Sequence, residues 1–64
     1  WTPEYLKTQE NARNMVLADI ESEKAAINQY RMHMRRIRDP YVNAVLARII
    51  RDEEYHIMTL QALL

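Results

Sequence analysis

The chain has 64 residues, with nine basic and nine acidic side chains and a formal net charge of zero, so nothing global draws it to nucleic acid or to an anionic membrane surface. Cysteine is absent, which excludes a disulfide framework and a thiolate zinc site. No apolar run approaches the roughly 18 residues of a membrane span, and the opening "WTPEYLKTQE" lacks the apolar stretch of a signal peptide, so a water-soluble, cytoplasmic protein is expected.

Glycine and phenylalanine are also missing, proline occurs only as Pro3 and Pro40, and alanine, leucine, isoleucine, methionine, arginine and glutamate dominate. That composition forms helix almost throughout. A domain this small buries little surface by itself and ordinarily recruits metal or partner chains. The start at Trp1 and the lack of a helix stop after the final "ALL" lead us to expect a piece of a longer chain.

The first element begins at "TPEY", where Thr2 is suited to the N-cap, Pro3 to the first helical position and Glu4 to the acid-favouring first turn. Arg35, Arg36 and Arg38 gather where cations favour a helix C-terminus, and "RDPY" then offers Asp39 as a second N-cap with Pro40 behind it. The spacing predicts helix one over about 3–38 and helix two over about 41–64, joined so tightly that they must be antiparallel neighbours. The whole chain is one all-α domain, an antiparallel two-helix hairpin whose first arm overhangs the second.

Along helix one, Val16, Ile20, Glu23, Ile27, Tyr30, Met34 and Ile37 recur at steps of four and three, the period of an inward-facing seam. The same rule in helix two gives Val42, Leu46, Ile49, Glu53, His56, Leu60 and Leu63, with Ile50, Ile57 and Leu64 as a flanking stripe. A face this broad is more than one neighbouring helix covers, so a second hairpin is expected to complete a four-helix bundle. The homodimer, or a higher even-numbered homo-oligomer, is the expected assembly.

Glu23, Glu53 and His56 are the seam's three ionisable intruders. Glu23 lies 15 residues before Arg38 and His56 lies 15 after Tyr41, which puts both about 22 Å from the turn. Clustered buried carboxylates and an imidazole at one level call for a cation, because an isolated buried carboxylate otherwise takes up a proton. Two copies would bring together four carboxylates and two imidazoles, and two divalent ions would balance the charge. So oxygen-rich a donor set suits iron or manganese better than copper or structural zinc. It is the Glu plus Glu-x-x-His arrangement of two-metal carboxylate bundles.

The run "ESEKAAINQY", with Glu23 seven residues before Tyr30, then "DPY", then "RDEEYHIMTLQAL", resembles half of a ferritin or rubrerythrin fold, over roughly residues 15 to 64. It is most similar to the encapsulated ferritins, short two-helix chains that build their site between copies. The resemblance implies a ferritin-like bundle, two iron ions per dimer with manganese as the second choice, Glu23 and His56 as terminal ligands, Glu53 as a bridging ligand and the Tyr30 hydroxyl hydrogen-bonded to a ligand carboxylate. The activity it implies is ferrous iron oxidation by oxygen in iron storage, with Glu23, Glu53, His56 and Tyr30 as the working residues and an encapsulin shell as a partner and compartment. Peroxide handling of the rubrerythrin or manganese catalase kind belongs to the same bundle. The acidic neighbours those ferritins carry beside the first ligand are here Ser22 and Ala25, with Glu21 the nearest acid.

Plainer readings stand beside these. Glu53 and His56 also suit a buried hydrogen bond that sets register in a self-assembling, non-enzymatic hairpin. Tyr30 suits ordinary packing. His33 has no acidic partner at its level and reads as a solvated histidine, and the methionines read as core and interface filler. Trp1, Tyr5 and Leu6 on the overhang are expected to pack against another dimer.

Overall fold

The computed structural model describes residues 1–64, which form two α-helices, α1 (Pro3–Ile37) and α2 (Pro40–Ala62), paired as a hairpin. Thr2 caps α1 through a hydrogen bond that its hydroxyl oxygen accepts from the Tyr5 N–H at 3.2 Å, with Pro3 behind it. The reversal takes two residues. Arg38 adopts left-handed backbone at φ 52°, ψ 31°, a conformation in which a side chain costs roughly 1 kcal/mol or more. Asp39 then opens α2, its Oδ1 accepting from the N–H groups of Tyr41 and Val42 at 2.9 and 3.1 Å.

Asn43 adds a tie across the turn, donating from Nδ2 to the Met34 carbonyl at 3.4 Å. That carbonyl lies in the last turn of α1, where backbone acceptors have no partner further along the helix. The helix bounds differ slightly from expectation: Arg38 falls outside α1, Pro40 falls inside α2, and α2 ends at Ala62 rather than Leu64. At that end the Leu63 N–H turns back to the carbonyls of Leu60 and Gln61.

Four isoleucines, Ile20, Ile27, Ile50 and Ile57, are the buried residues, with Val16, Tyr30, Met34 and Leu60 packed partly buried against them. This corrects the expected seam of α2. Ile50 and Ile57, placed on the flank by the sequence, line the contact between the helices, whereas Leu63 and His56 are exposed and Ile49 is only half-buried. The reason is geometric: consecutive residues lie about 100° apart around a helix. On α2 the stripe that holds Glu53 and His56 is therefore turned away from the line along which the two helices touch, whereas on α1 the stripe that holds Glu23 is that line. Ile37, expected inward on the same α1 stripe as the buried Ile20 and Ile27, is half exposed because it is the last residue of α1, at the turn.

The result is a rod with principal extents of 55 × 16 × 9 Å. It exposes 5500 Å², where a compact folded protein of its 7.7 kDa would expose about 4300 Å². The excess of roughly 1200 Å² is more than the ~800 Å² that each partner contributes to an ordinary stable interface. Neither helix is long and apolar enough to cross a membrane. Two substitutions test this account by urea denaturation at one protein concentration. Ile57→Ala is expected to destabilise by about 2–3 kcal/mol through the lost contact with α1, whereas Arg38→Gly is expected to stabilise by about 1 kcal/mol by removing the side chain from a left-handed residue.

Candidate metal centre

Glu23 stands in the middle of α1; Glu53 and His56 stand one turn apart on α2. Because the turn is so short, equal residue counts from it become equal heights, and the three side chains converge as the spacing predicts. Their donor atoms lie within 4.8 Å of one another, the one place in the hairpin where three His, Asp or Glu side chains gather in this way. Donors on a common first-row ion sit about 2.1 Å from it and therefore about 3–4 Å from each other. A small rotation of these long side chains brings the group to that separation.

Burial across the group is graded. The Glu23 side chain is 25% exposed, that of His56 53% exposed, and Glu53 is half-buried. His56 is therefore not a core residue of the single hairpin, contrary to the seam on which the sequence placed it. It stands at the rim, beside the isoleucine line. Glu53 and His56 continue, at helical spacing, the stripe of Val42, Leu46 and Ile49, which remain only half-covered.

The internal polar contacts of the group are incomplete. His56 Nδ1 lies 3.5 Å from Glu23 Oε1, beyond the 2.7–3.2 Å of an ordinary hydrogen bond. Glu53 Oε2 is buried with no hydrogen-bond partner at all. Leaving such an acceptor unsatisfied costs about 1–3 kcal/mol, and more for a charged group. The nearby cation Lys24 approaches Glu21 at 3.6 Å on the surface instead. A divalent ion among Glu23, Glu53 and His56 would supply the missing positive charge and a bond to the stranded oxygen, so the residues present fit a metal. The open side leaves further coordination positions for other donors.

Tyr30 packs against the isoleucine core, but its hydroxyl makes no hydrogen bond within the hairpin. It sits two turns from Glu23, about 10 Å along α1. His33 stays apart and exposed, on a patch with Gln29, Met32 and Arg36. The sequence reading passed over Asn43, whose signal was available: a lone amide in the first turn of an otherwise apolar helix start. No family model, curated protein or solved structure matches the chain.

The stranded oxygen generates a prediction with two opposite signs. In metal-free protein, Glu53→Leu is expected to raise the melting temperature, because it removes a buried acceptor that nothing satisfies. Ferrous or zinc ions are expected to raise the melting temperature of the parent chain, and the same change is expected to abolish that rise. Thermal scans with chelator and with metal measure both.

Proposed function

We propose that two copies of this chain form a ferritin-like four-helix bundle that binds two iron ions between paired Glu23, Glu53 and His56 side chains and oxidises ferrous iron with oxygen. The observation that carries the proposal is the buried, partnerless Glu53 oxygen beside a carboxylate from the neighbouring helix, Glu23, and an imidazole one turn along its own, His56. Such a group is costly as a fold element and reasonable as half of a metal centre.

A two-fold axis beside the group brings the partner's three donors to the same level. Four carboxylates then carry four negative charges and two divalent ions balance them, leaving a near-neutral cluster that can be buried. Closing the bundle also covers Ile37, Val45 and Leu63, which a single hairpin leaves exposed. The donor set is rich in oxygen and has one nitrogen per copy, which suits iron, with manganese as the alternative. Ferrous ions are the substrate here: two held together can pass two electrons to one molecule of oxygen.

Each side chain has a distinct task. The two carboxylates fix the ions and change between one-oxygen and two-oxygen binding as the charge of the ions rises. His56, at the rim, supplies a neutral nitrogen donor and borders the exposed side. Tyr30 helix geometry leans its ring back toward the N-terminus of α1 and hence toward the level of the group, where a carboxylate brought in by the second copy would accept its hydroxyl hydrogen.

The register reading of the same residues finds its support in the approach of His56 to Glu23. A register device, however, works by pairing its buried polar atoms, and here the distance is long and Glu53 Oε2 is unpaired. Stopped-flow oxidation of ferrous iron, followed by absorbance at 300–350 nm, tests the proposal directly. Glu53→Gln and His56→Ala are each expected to lower the initial rate by at least a hundredfold while far-ultraviolet dichroism remains helical. An unchanged rate in Glu53→Gln would overturn the assignment, and peroxide consumption without net iron oxidation would transfer it to the rubrerythrin and manganese catalase branch.

A further inference from the structure

The hairpin has a second face, behind the metal group. Consecutive residues lie about 100° apart around a helix, so Glu23 and Glu53 lean roughly 50° to one side of the mean direction of the buried isoleucines on their helices, and their chain neighbours Lys24 and Glu54 roughly 50° to the other. Both helices contribute to this rear face, and a groove of about 390 Å³ runs between them there, within the roughly 300–1,000 Å³ of small-molecule sites. Its floor is apolar: Ile27 and Ile57 line it, and Met58, 65% exposed, extends it away from the turn. Lys24, Asn28 and Arg31 form the α1 wall, and Glu54 stands on the α2 wall.

The two walls do not bridge. Lys24 and Glu54 lie at nearly one height, about 20 Å from the turn, yet the ammonium approaches Glu21 on its own helix at 3.6 Å, and Glu54 has no cation within 4.0 Å. Arg31 has no carboxylate within that distance, and the Asn28 amide makes no hydrogen bond within the hairpin. The groove is therefore open along its length, with an apolar base below polar groups that are all free.

Charge is graded along it. Arg31 and Asn28 lie about 10 and 15 Å from the turn, Lys24 and Glu54 about 20 Å, and Met58 about 25 Å. The turn-ward end belongs to a strongly basic half of the rod: residues 26–51 carry six arginines against the single carboxylate of Asp39, a net of +5, and Asp39 is committed to capping α2. At the other end Glu21 and Glu54 outweigh Lys24.

We propose that this groove binds a small amphipathic carboxylate, its anionic head on the Arg31 guanidinium and the Asn28 amide and its apolar body over Ile27, Ile57 and Met58. The site is separate from the metal centre and does not rest on the metal reading. A guanidinium matches a carboxylate with two parallel N–H donors, and Asn28, three residues earlier on α1, is its neighbour on the helix surface. A bare anion gains little here, because an exposed ion pair contributes only about 0–1 kcal/mol; the isoleucine floor supplies the rest by burying an apolar body. Met58 adapts to the shape of that body, and the methylene stems of Lys24 and Glu54 flank it. The Glu54 carboxylate opposes a second anionic group at the far end, so it fixes the direction of the ligand and selects against dianions. Closing a bundle over Glu53 and His56 leaves the groove open.

The test is nitrogen–proton correlation NMR of the full chain titrated with naphthoate, and with naphthamide, acetate and octanoate for comparison. Saturable shifts confined to Ile27, Asn28, Arg31, Ile57 and Met58 are expected, with the neutral amide and the bodiless acetate each weaker by about tenfold or more. Octanoate separates the two kinds of body: tighter binding than naphthoate assigns an alkyl ligand and weaker binding an aromatic one, and either keeps the site. Arg31→Gln, at an exposed position, is expected to weaken naphthoate about tenfold, and Glu54→Gln to strengthen it about twofold. Affinity is expected to be the same with chelator and with zinc; displacement by zinc would place the probe on Glu53 and His56 and overturn the proposal. Equal affinity for naphthamide, or shifts centred on Trp1 and Leu6 or on Leu63 and Leu64, would reduce the effect to adhesion on exposed apolar groups and overturn it as well. Groove resonances that move with protein concentration alone would assign this face to a contact between copies instead.

Discussion

A carboxylate oxygen withdrawn from water needs a donor or a cation, and in this hairpin Glu53 Oε2 has neither. Two helices of unequal length, one very short turn and a line of four isoleucines hold Glu23, Glu53 and His56 within reach of one another. A fold of 64 residues with four buried side chains has little free energy to spare for a charged group without a partner. It stands beside a second carboxylate and an imidazole, the arrangement that a bound cation would satisfy.

The turn is what makes the convergence possible. Two helices placed side by side can slide, and a slip of one turn moves a side chain about 5 Å, enough to dismantle a set of donors. Here the slide is restrained at one end by three independent contacts: the Asp39 cap, the αL residue Arg38 and the Asn43 bond to the Met34 carbonyl. Register is then carried along the isoleucines to the group about 22 Å away. The turn and the core together act as the ruler, and Glu23, Glu53 and His56 fall at one height.

Much of this was legible in the residues. Thr2-Pro3 and Asp39-Pro40 are helix starts with a mechanism, and both caps form as their side chains allow. Equal residue counts on either side of an unambiguous turn were enough to bring Glu23 level with His56. The inner face of α2 was less legible: Ile49 and Ile50 are equally apolar neighbours, and so in large part are the stripes they begin. A hydrophobic pattern records that a residue is to be buried but not which of two neighbouring surfaces will bury it. Here α1 buries the stripe of Ile50 and Ile57 and leaves that of Ile49 half-covered.

The amino-acid sequence by itself determined the helices, their ends to within two residues, their antiparallel pairing and the common level of the three ionisable intruders, because caps, prolines and helical rise are local properties that each residue carries with it. Only the tertiary structure decided that Ile50 and Ile57 close the hairpin, and that His56 stands at the rim while Glu53 Oε2 is stranded inside. Those outcomes depend on the angle at which one helix meets another. That angle is set by the packing of side chains far apart in the chain, and no local pattern contains it.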